Sequence, residues 1–358
     1  MESIRRIELK RLRMPLIKPY RLSYRTFDEF EPFVVLVVGA DGTVGFGDAH
    51  ISPGSSSETR EGAWAFIASH ARRMIGLSPA DAKAIVLQDF AQSKAATTAL
   101  VSAVEVFEGL ALVQIPKATT LPLLAPVGSL TEAEIAAEIE TLLGDGFRTF
   151  KVKVGKDVEA DLARVAAIQR RVRGRATLRL DANRAFSRAQ GIAFASSLDA
   201  QGIELFEQPC GAEDWEANGA VAAASNVPLM LDEPICTLED IARASDMARV
   251  GFCKLKLKRF GSLKRLKEGL VAVREHGMEP VLGDGLGSEI QGWLEAAVAR
   301  TTITNAGEFN GFLKPRDRLF ENPIPFADGA IRLPTNYQPR LDAAALERFT
   351  VDHMKFGT

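Results

Sequence analysis

The sequence predicts an α/β protein in which a (β/α)8-type, TIM-like barrel follows an N-terminal α+β capping domain. Two observations support this fold class. Residues 119–322 alternate short apolar runs with segments of helical periodicity, whereas residues 1–118 do not. In the second half of the chain, charged residues end successive apolar runs at intervals of 24 to 28 residues. That interval is the one expected between consecutive strands of such a barrel.

The capping domain is predicted from a change of pattern before residue 119. Strand patterns occupy 4–12 and 33–48, and a hairpin turn is expected at 41–42. Residues 60–113 are rich in alanine and have helical spacing. The tail at 323–358 loses the strand–helix alternation, and we expect it to complete the capping domain.

Eight segments of the barrel part have the apolar character of strands. They are 122–127, 148–154, 176–181, 203–207, 228–232, 252–257, 279–284 and 302–308. The intervening segments have helical spacing, as at Val158, Leu162, Val165 and Ile168, and Gly174 fits a helix C-terminal cap. Eight strands with at least seven helices predict a closed barrel at 119–322.

The composition limits the classes of partner. A chain of 358 residues with 46% hydrophobic residues can bury the cores of two domains. A net charge of −2 gives no general attraction to nucleic acid or to a membrane surface, and the longest apolar runs are too short to span a bilayer. The three cysteines have no metal-ligand or disulfide spacing, which fits a cytoplasmic protein. We expect a homo-oligomer that acts on a small molecule.

The alternation of side chains along a strand predicts which residues enter the barrel. Lys151 and Lys153 share one face of strand two, and the apolar residues between them must meet the helices. The same parity places Arg179, Asp181, Lys254 and Lys256 inside. Charged groups inside a barrel are costly unless they are paired or bind a metal, so the pattern indicates a functional site.

Three carboxylates end the neighbouring strands three, four and five: Asp181, Glu207 and Asp232. Converging carboxylates repel one another unless a cation lies between them. All-oxygen ligation favours Mg²⁺, for which Mn²⁺ could substitute. The alternative is that the carboxylates cap helices or pair with Arg179 and Arg184.

The lysines of strands two and six flank these carboxylates. Lys153 and Lys256 could therefore reach opposite faces of one substrate carbon. A lysine that acts as a base must lose its proton near the working pH. We expect the ammonium groups of Lys151 and Lys254, together with a metal, to lower the pKa of the two lysines. The alternative is that they are solvated strand ends.

Five ordered motifs carry a resemblance to a known family. They are Thr149-Phe150-Lys151-Val152-Lys153-Val154-Gly155, Asp181-Ala182-Asn183, Glu207-Gln208-Pro209, Leu231-Asp232-Glu233-Pro234 and Lys256-Leu257-Lys258-Arg259-Phe260-Gly261. Together they resemble the enolase superfamily, and within it the mandelate racemase/muconate lactonizing enzyme family. The nearest pattern is that of muconate-lactonizing enzymes, o-succinylbenzoate synthases and dipeptide epimerases. The resemblance extends over the whole chain, because that family has an N-terminal capping domain.

The resemblance implies a role for each matched residue. Mg²⁺ on Asp181, Glu207 and Asp232 would bind the substrate carboxylate and stabilise an enolate, with Lys153 and Lys256 as the acid/base pair. Lys151 would help to hold the carboxylate, and Lys254 is a further substrate-binding candidate. Asn183 and Glu233 would support the ligands.

The last two strands depart from the family pattern. Gly287 stands where relatives often carry a glutamate before the serine, and Asp284 is the candidate to face the mouth instead. The Asp-x-Asp with which dipeptide epimerases hold an ammonium is absent after strand eight, where Glu308 is the candidate to replace it. These differences concern the substrate and not the reaction class.

Two polar loops, at 13–30 and 49–59, are expected to close over the mouth of the barrel. Within them Arg21, Arg25 and His50 are the candidates to bind a polar or anionic end of the substrate.

The predicted function is removal of the proton α to a carboxylate, through an enediolate, by a magnesium-dependent enzyme. A lysine on each face makes a racemase or epimerase of an amino-acid derivative or related carboxylate the simplest outcome. A dehydratase or other lyase, or a cycloisomerase, would use the same site. Two other classes stay open: a Schiff-base aldolase with Lys256 as nucleophile, and a non-catalytic barrel that binds a carboxylate.

Overall fold

The structure is a computed structural model that describes residues 3–21, 26–52 and 57–358, without the side chain of Arg21. Its strands are β1 (Ile4–Leu12), β2 (Met14–Arg21), β3 (Thr26–Phe30), β4 (Pro32–Gly39), β5 (Val44–His50), β6 (Thr119–Pro122), β7 (Ala125–Val127), β8 (Thr149–Lys153), β9 (Thr177–Asp181), β10 (Ile203–Glu207), β11 (Leu229–Leu231), β12 (Val250–Leu255), β13 (Glu279–Leu282), β14 (Phe326–Ala327), β15 (Ala330–Leu333) and β16 (Thr350–Gly357). Its α-helices are α1 (Arg60–Met74), α2 (Pro79–Gln88), α3 (Lys94–Phe107), α4 (Glu132–Gly144), α5 (Val158–Val172), α6 (Arg188–Ser197), α7 (Trp215–Ala224), α8 (Leu238–Ser245), α9 (Leu257–Phe260), α10 (Leu263–Glu275), α11 (Glu289–Ala299) and α12 (Ala343–Phe349). None of these helices combines the length and the apolar character that a membrane crossing requires, in so far as the described residues reach.

The N-terminal part is an antiparallel sheet covered by helices. Its strand order is β16-β1-β4-β5, and its buried face packs against α1, α2 and α3. The tail of the chain divides between two sheets, because β16 pairs with β1 whereas β14 and β15 form a separate sheet with β6. Residues 14–30, which we expected to be a loop, instead contain the antiparallel pair β2 and β3. The boundary at residue 118 stays a prediction.

The barrel is built on seven parallel strands in the order β13-β12-β11-β10-β9-β8-β7. The prediction of an eighth strand at 302–308 is wrong. This segment forms only an isolated bridge, between Gly307 and Leu123. The segment still closes the barrel, since Gly307 N donates to Pro122 O over 2.9 Å and Glu308 N donates to Leu282 O over 2.8 Å. Glycine permits this close approach, because a Cβ at Gly283 would lie 2.4 Å from Phe309 N.

A buried arginine ties the closing segment to the floor of the barrel. Arg179 of β9 donates two parallel hydrogen bonds of 2.9 Å to Glu204 on β10. Its remaining terminal nitrogen donates to the carbonyl oxygen of Ala306 over 2.8 Å. The bidentate pair satisfies the charge of a side chain that is 1% exposed. The parity argument placed Arg179 inside, and its contacts explain how an irregular eighth segment keeps a fixed position.

Helix α3 of the capping domain holds the segment that follows β12. The carboxylate of Glu105 accepts hydrogen bonds from Leu263 N (2.8 Å) and Lys264 N (3.3 Å), and so caps the start of α10 from another domain. About two turns earlier along α3, Thr98 Oγ1 donates to Leu257 O over 3.5 Å. The fold thus couples the capping domain to the residues directly after Lys256.

We expect Gly47→Ala to destabilise the protein by about 1–3 kcal/mol, because overpacking a tight contact has that cost. A Cβ at Gly47 would lie 2.3 Å from Ser102 Oγ and 2.5 Å from Ala99 O, so α3 would have to move. Gly144→Ala on α4 is the matched control, since a Cβ there meets nothing within 4 Å. Urea unfolding followed by circular dichroism measures both. Equal unfolding free energies for the two variants would contradict the packing argument.

Candidate active site

A cavity of about 300 Å³ opens at the carboxyl ends of the barrel strands, under the capping domain. Its charged and polar lining includes Tyr20, His50, Glu58, Lys94, Lys151, Lys153, Asp181, Asn183, Arg184, Glu207, Glu213, Asp232, Glu233, Lys254, Lys256, Lys258, Arg259, Asp284 and Glu308. The sequence-predicted residues whose side chains are described all lie in this lining. The structure thus brings the strand-end residues singled out by alternation and spacing together in one cavity.

Strand register brings the first candidates side by side. Lys153 on β8 pairs in register with Asp181 on β9, and Asp181 pairs with Glu207 on β10. Asp232 follows directly after β11, and its backbone N–H donates to the side chain of Gln208 over 2.9 Å. Neighbouring strands thus present their carboxylates at one level of the barrel.

The turns after these strands use uncommon backbone conformations. Asn183 and Arg184 have φ values of 45° and 68°, and Gln208 has a φ of 38°. Non-glycine residues rarely adopt positive φ, and such strain is concentrated at functional sites. The tight turn after β9 also lets Asn183 N donate to Asp181 Oδ1 over 2.8 Å.

Two deeply buried lysines cross-link the carboxylates. Lys151 Nζ lies 2.8 Å from Asp181 Oδ2, 2.8 Å from Glu207 Oε2 and 2.9 Å from Glu308 Oε1. Lys254 Nζ lies 3.0 Å from Glu207 Oε1 and also contacts Glu308. Both ammonium groups are thus engaged by protein carboxylates in this arrangement.

Lys153 and Lys256 are more accessible and lie on different sides of the cavity. The side chain of Lys153 is 39% exposed, and its Nζ lies 2.5 Å from Asp181 Oδ2 and contacts Asn183. The side chain of Lys256 is 12% exposed, and its Nζ lies 2.9 Å from Asp232 Oδ2. Because β8 and β12 are four strands apart in the sheet order, these two lysines flank the carboxylates from different sides.

The expectation that a neighbouring ammonium lowers the pKa of Lys256 is wrong, and the part of that lowering assigned to a metal stays a prediction. Burial by itself lowers the pKa of Lys256, but the charges of Asp232 and Asp284 outweigh it and raise the pKa above its usual value. The sequence argument counted Lys254 as the nearest charge to Lys256. In the structure Lys254 is engaged by Glu207 and Glu308, so a carboxylate is the closest partner of Lys256 instead.

The carboxylates differ in their tendency to bind a proton. Burial and the charge of Asp181 raise the pKa of Glu207 to about 7. Burial also disfavours the charged forms of Asp181 and Asp232, but neighbouring cations, Lys151 and Arg259 foremost, hold their pKa values below the usual range. Of the three strand-end carboxylates, only Glu207, the middle one, therefore has a raised pKa.

Sequence reasoning missed Arg259, which lines the cavity, and the buried amine of Lys314, whose pKa burial lowers to about 7. Arg259 Nη1 donates to Asp232 Oδ1 over 2.9 Å, because the chain turns into α9 after Leu255 and strand parity no longer applies. Lys314 comes from a stretch without periodicity that follows the closing segment, and no sequence signal indicates its position. Lys258 reaches the cavity from α9 and forms a 2.5 Å ion pair with Asp284.

The structure places the two candidates for supporting the ligands, Asn183 and Glu233, and one of the three lid candidates, His50, in the cavity. Asn183 contacts Lys153, and Glu233 lies 3.3 Å from Arg184. His50, 3% exposed, lines the cavity with its ring centroid 5.0 Å from that of Phe30. Arg25 and the side chain of Arg21 lie outside the described residues.

The donor chemistry of the three strand-end carboxylates fits a divalent cation. In the ranges that the structure describes, no group of three Asp, Glu, His or Cys side chains is arranged as a ready-made metal cluster. Lys151 lies between Asp181 and Glu207, and Glu207 Oε2 has no hydrogen bond of acceptable geometry although Lys151 Nζ is 2.8 Å away. The buried oxygens suit a hard cation, provided that the ammonium groups move off them.

Comparison with known proteins places this geometry in a family. The family model described as enolase C-terminal domain-like matches residues 134–339. The L-Ala-D/L-Glu epimerase of Bacillus subtilis (strain 168) is 27% identical over 355 residues, which covers 93% of this chain and 94% of the relative. A hydrophobic dipeptide epimerase of Citrifermentans bemidjiense is 29% identical and covers 76% of this chain and 78% of the relative. Among solved structures, the N-succinyl Arg/Lys racemase of Bacillus cereus ATCC 14579 superimposes with a TM-score of 0.89 at 22% identity, over 99% of this chain and 100% of the other.

Proposed function

The chain belongs to the enolase C-terminal domain-like family, and on this premise we propose that it is a racemase or epimerase of an amino-acid derivative. The reaction removes the proton α to a carboxylate, passes through an enediolate, and returns a proton to either face. Relatives named as dipeptide epimerases support the reaction type.

One observation carries the proposal: two accessible lysines flank the carboxylates from opposite sides of a single cavity. Lys153 ends the second barrel strand, β8, and Lys256 follows the sixth, β12. The carboxylates of β9, β10 and the end of β11 lie between them. A base on each side of one carbon allows either enantiomer to lose its proton, and the opposite lysine to return one.

Each residue has a distinct task in this proposal. Lys153 and Lys256 transfer the proton at their Nζ atoms. Asp181, Glu207 and Asp232 would hold a divalent cation, which when bound would neutralise the substrate carboxylate and the charge that develops on it. Binding of the carboxylates to that cation would also release Lys153 and Lys256 from their ion pairs with Asp181 and Asp232.

Other residues maintain the arrangement. Lys151 and Lys254 join Glu207 to Glu308 and would present positive charge to the substrate carboxylate. Asn183 contacts Lys153, and Asp284 lies 3.5 Å from Lys256 Nζ, so each proton-transferring amine has a polar neighbour that orients it.

Solvent-deuterium exchange tests the function directly. The enzyme is incubated with Mg²⁺ in D₂O and a library of amino acids, dipeptides, N-acyl amino acids and hydroxy acids. Deuterium at the α-carbon together with loss of optical purity is the expected result. A compound that binds without any exchange would favour the non-catalytic barrel. Covalent trapping of Lys256 by borohydride, with activity that survives a chelator, would favour the Schiff-base aldolase.

Substrate preference should respond to the lids. We expect Arg21→Ala, Arg25→Ala and His50→Ala to change kcat/KM between substrates more than they change Mg²⁺ affinity, because closing lids exclude water and contact the distal substrate groups. Kinetics over the same library, with a metal titration for each variant, measure both effects. An unaltered substrate profile in all three variants would move the origin of specificity to Asp284 and Glu308.

Three finer points stay predictions. The cation is Mg²⁺, with Mn²⁺ as a substitute, because the donor atoms are carboxylate oxygens. The enzyme is a homo-oligomer. It works in the cytoplasm, to which its three free cysteines are suited.

A further inference from the structure

The main chain of β8 loses one of its two neighbouring strands just before it reaches Lys153. The pairing of β7 with β8 ends at Val127 and Val152, one residue before Lys153. A parallel ladder that stops in this way leaves peptide carbonyls without strand partners, and buried carbonyls need a donor. At the carbonyl oxygens of Val127 and Lys153, another element must therefore supply the hydrogen bonds.

An arginine of α5 supplies them. Arg164 Nη1 donates to Lys153 O over 2.9 Å, and Nη2 donates to Val127 O over 3.0 Å. Its Nε donates to Ser129 O over 3.0 Å. One planar guanidinium thus binds three carbonyls at or just beyond the ends of two neighbouring strands, which the single amine of a lysine could not reproduce. Arg164 therefore ties the main chain of Lys153 to the end of β7.

An aspartate of the same helix holds the residues that follow. Asp161 lies three residues before Arg164, so the two side chains share a face of α5, and both point back toward its N-terminus. Asp161 Oδ2 accepts hydrogen bonds from Gly155 N (2.7 Å), Lys156 N (3.0 Å) and Asp157 N (3.3 Å). The first turns of α5 thus fix the main chain at the end of β8 and directly after it.

The side chain of Lys153 is less restrained by its surroundings than that of Lys256. It is 39% exposed, whereas the side chain of Lys256 is 12% exposed. Lys153 Nζ pairs with Asp181, and this pair would be given up when Asp181 binds a cation. The direction of the Lys153 side chain would then depend on its contact with Asn183 and on the position of its main chain.

The main chain beside Lys256 is held by other residues. Leu257 O accepts a hydrogen bond from Thr98 Oγ1 over 3.5 Å, and Glu105 binds the start of α10. Both of these residues belong to α3 of the capping domain, whereas Arg164 belongs to a barrel helix. The two lysines therefore have separate main-chain supports, and one support can be disturbed without the other.

We propose that Arg164 is a positioning residue for Lys153, and that it controls proton transfer on the face of the substrate that Lys153 serves but not on the face that Lys256 serves. The inference rests on the proposed racemase function and adds a residue to it. Arg164 is not among the residues that the described part of the chain contributes to the cavity lining, so its influence passes through the main chain of β8. A displacement of about 1 Å at a reacting group can lower a rate by about 10²-fold.

Enzymes that keep a single catalytic lysine separate the two faces. Lys256→Ala retains Lys153 and Lys153→Ala retains Lys256, so each variant reports exchange of one enantiomer in D₂O with Mg²⁺. Arg164→Met is added to each variant, and kcat and KM for deuterium entry at the α-carbon are measured by NMR with the best compound of the library. We expect kcat to fall at least about tenfold in the Lys256→Ala enzyme with little change in KM, and to stay within about twofold in the Lys153→Ala enzyme.

Two further variants distinguish positioning from a general loss of structure. Arg170→Met changes a mostly exposed arginine of the same helix, which lies 3.4 Å from Glu132, and it should leave both rates close to those of the parent enzymes. Arg164→Lys keeps the positive charge but offers one nitrogen to three carbonyls, so it should not restore the rate. Because each substitution is compared on both faces, a smaller folded fraction lowers the two rates alike and leaves their ratio unchanged.

The outcomes separate the two levels of the proposal. An equal fall in both single-lysine enzymes, an unchanged rate in the Lys256→Ala enzyme, or full restoration by Arg164→Lys would overturn the positioning role and leave the racemase function standing. Loss of exchange of both enantiomers in Lys256→Ala, with an active wild-type enzyme, would overturn the separate control of the two faces. Absence of exchange in the wild-type enzyme with every compound of the library would overturn the racemase function itself.

Discussion

Lys153→Ala and Lys256→Ala are each expected to abolish racemisation, with a loss of about 10²–10⁴-fold or more in turnover, the range that general acid–base groups contribute. Each variant should nevertheless keep exchange of the α-proton of one enantiomer, because the remaining lysine still serves its own face of the carbon. NMR in D₂O with each pure enantiomer measures the two exchange rates separately. Opposite enantiomers should remain active in the two variants.

Controls distinguish chemistry from folding. Lys256 is paired with Asp232, and removing one partner of a buried pair can cost about 3–5 kcal/mol of stability. Lys153 is paired with Asp181 but is more exposed, so its removal should cost less. Methionine replacements keep the apolar stem, and Lys267→Ala changes an exposed lysine of α10. Unchanged racemisation in either alanine variant, with a normal thermal transition, would rule out the two-base arrangement.

Asp232→Asn is expected to weaken Mg²⁺ binding by at least about tenfold, since loss of groups that merely support a metal ligand already costs 10–100-fold. The reason is that a neutral amide replaces one of three anionic oxygen donors on neighbouring strand ends. Calorimetric titration with Mg²⁺ alone measures the effect without reference to turnover. In the wild-type enzyme, a chelator should remove the activity and Mg²⁺ should restore it.

Asp284→Asn is the matched control for the metal site. Asp284 lines the same cavity, but it follows β13 and pairs with Lys258, away from the ends of β9, β10 and β11. We expect its Mg²⁺ affinity to stay close to that of the wild-type enzyme. Equal weakening in the Asp284 and Asp232 variants would mean that the cavity attracts the cation only through its total charge.

The strand-borne part of the site could be predicted because two simple periods govern it. The side chains of a strand alternate with period two, and successive barrel strands recur at about 25 residues. Together these periods place Lys151, Lys153 and Asp181 on one side of the barrel wall. The prediction of the metal's role and of the reaction came from the family resemblance, because residue spacing alone carries no information about the chemistry.

Prediction failed where the backbone leaves the strand. After Leu255 the chain enters a helical turn, where strand alternation no longer predicts which side chains face the barrel. Alternation therefore could not predict that Arg259 donates to Asp232. The eighth segment has the apolar run of a strand, but it pairs through Gly307 and hydrogen bonds from Arg179 hold it in position. Contacts of this kind join residues that are distant in sequence. They follow from the folded arrangement and leave no local signal.

The contacts of α3 have a consequence for how such enzymes diversify. Glu105 caps α10 and Thr98 contacts Leu257, so α3, which also packs on β5 beside the expected lid at 49–59, sets the position of the residues beside Lys256. A capping domain taken from a relative would bring new lids but would also need a carboxylate able to reach the start of α10. Recombination of whole domains is therefore constrained by this contact, whereas substitutions within the lids and at the closing segment leave it untouched. New specificities in this lineage should arise more readily by point changes there than by exchange of domains.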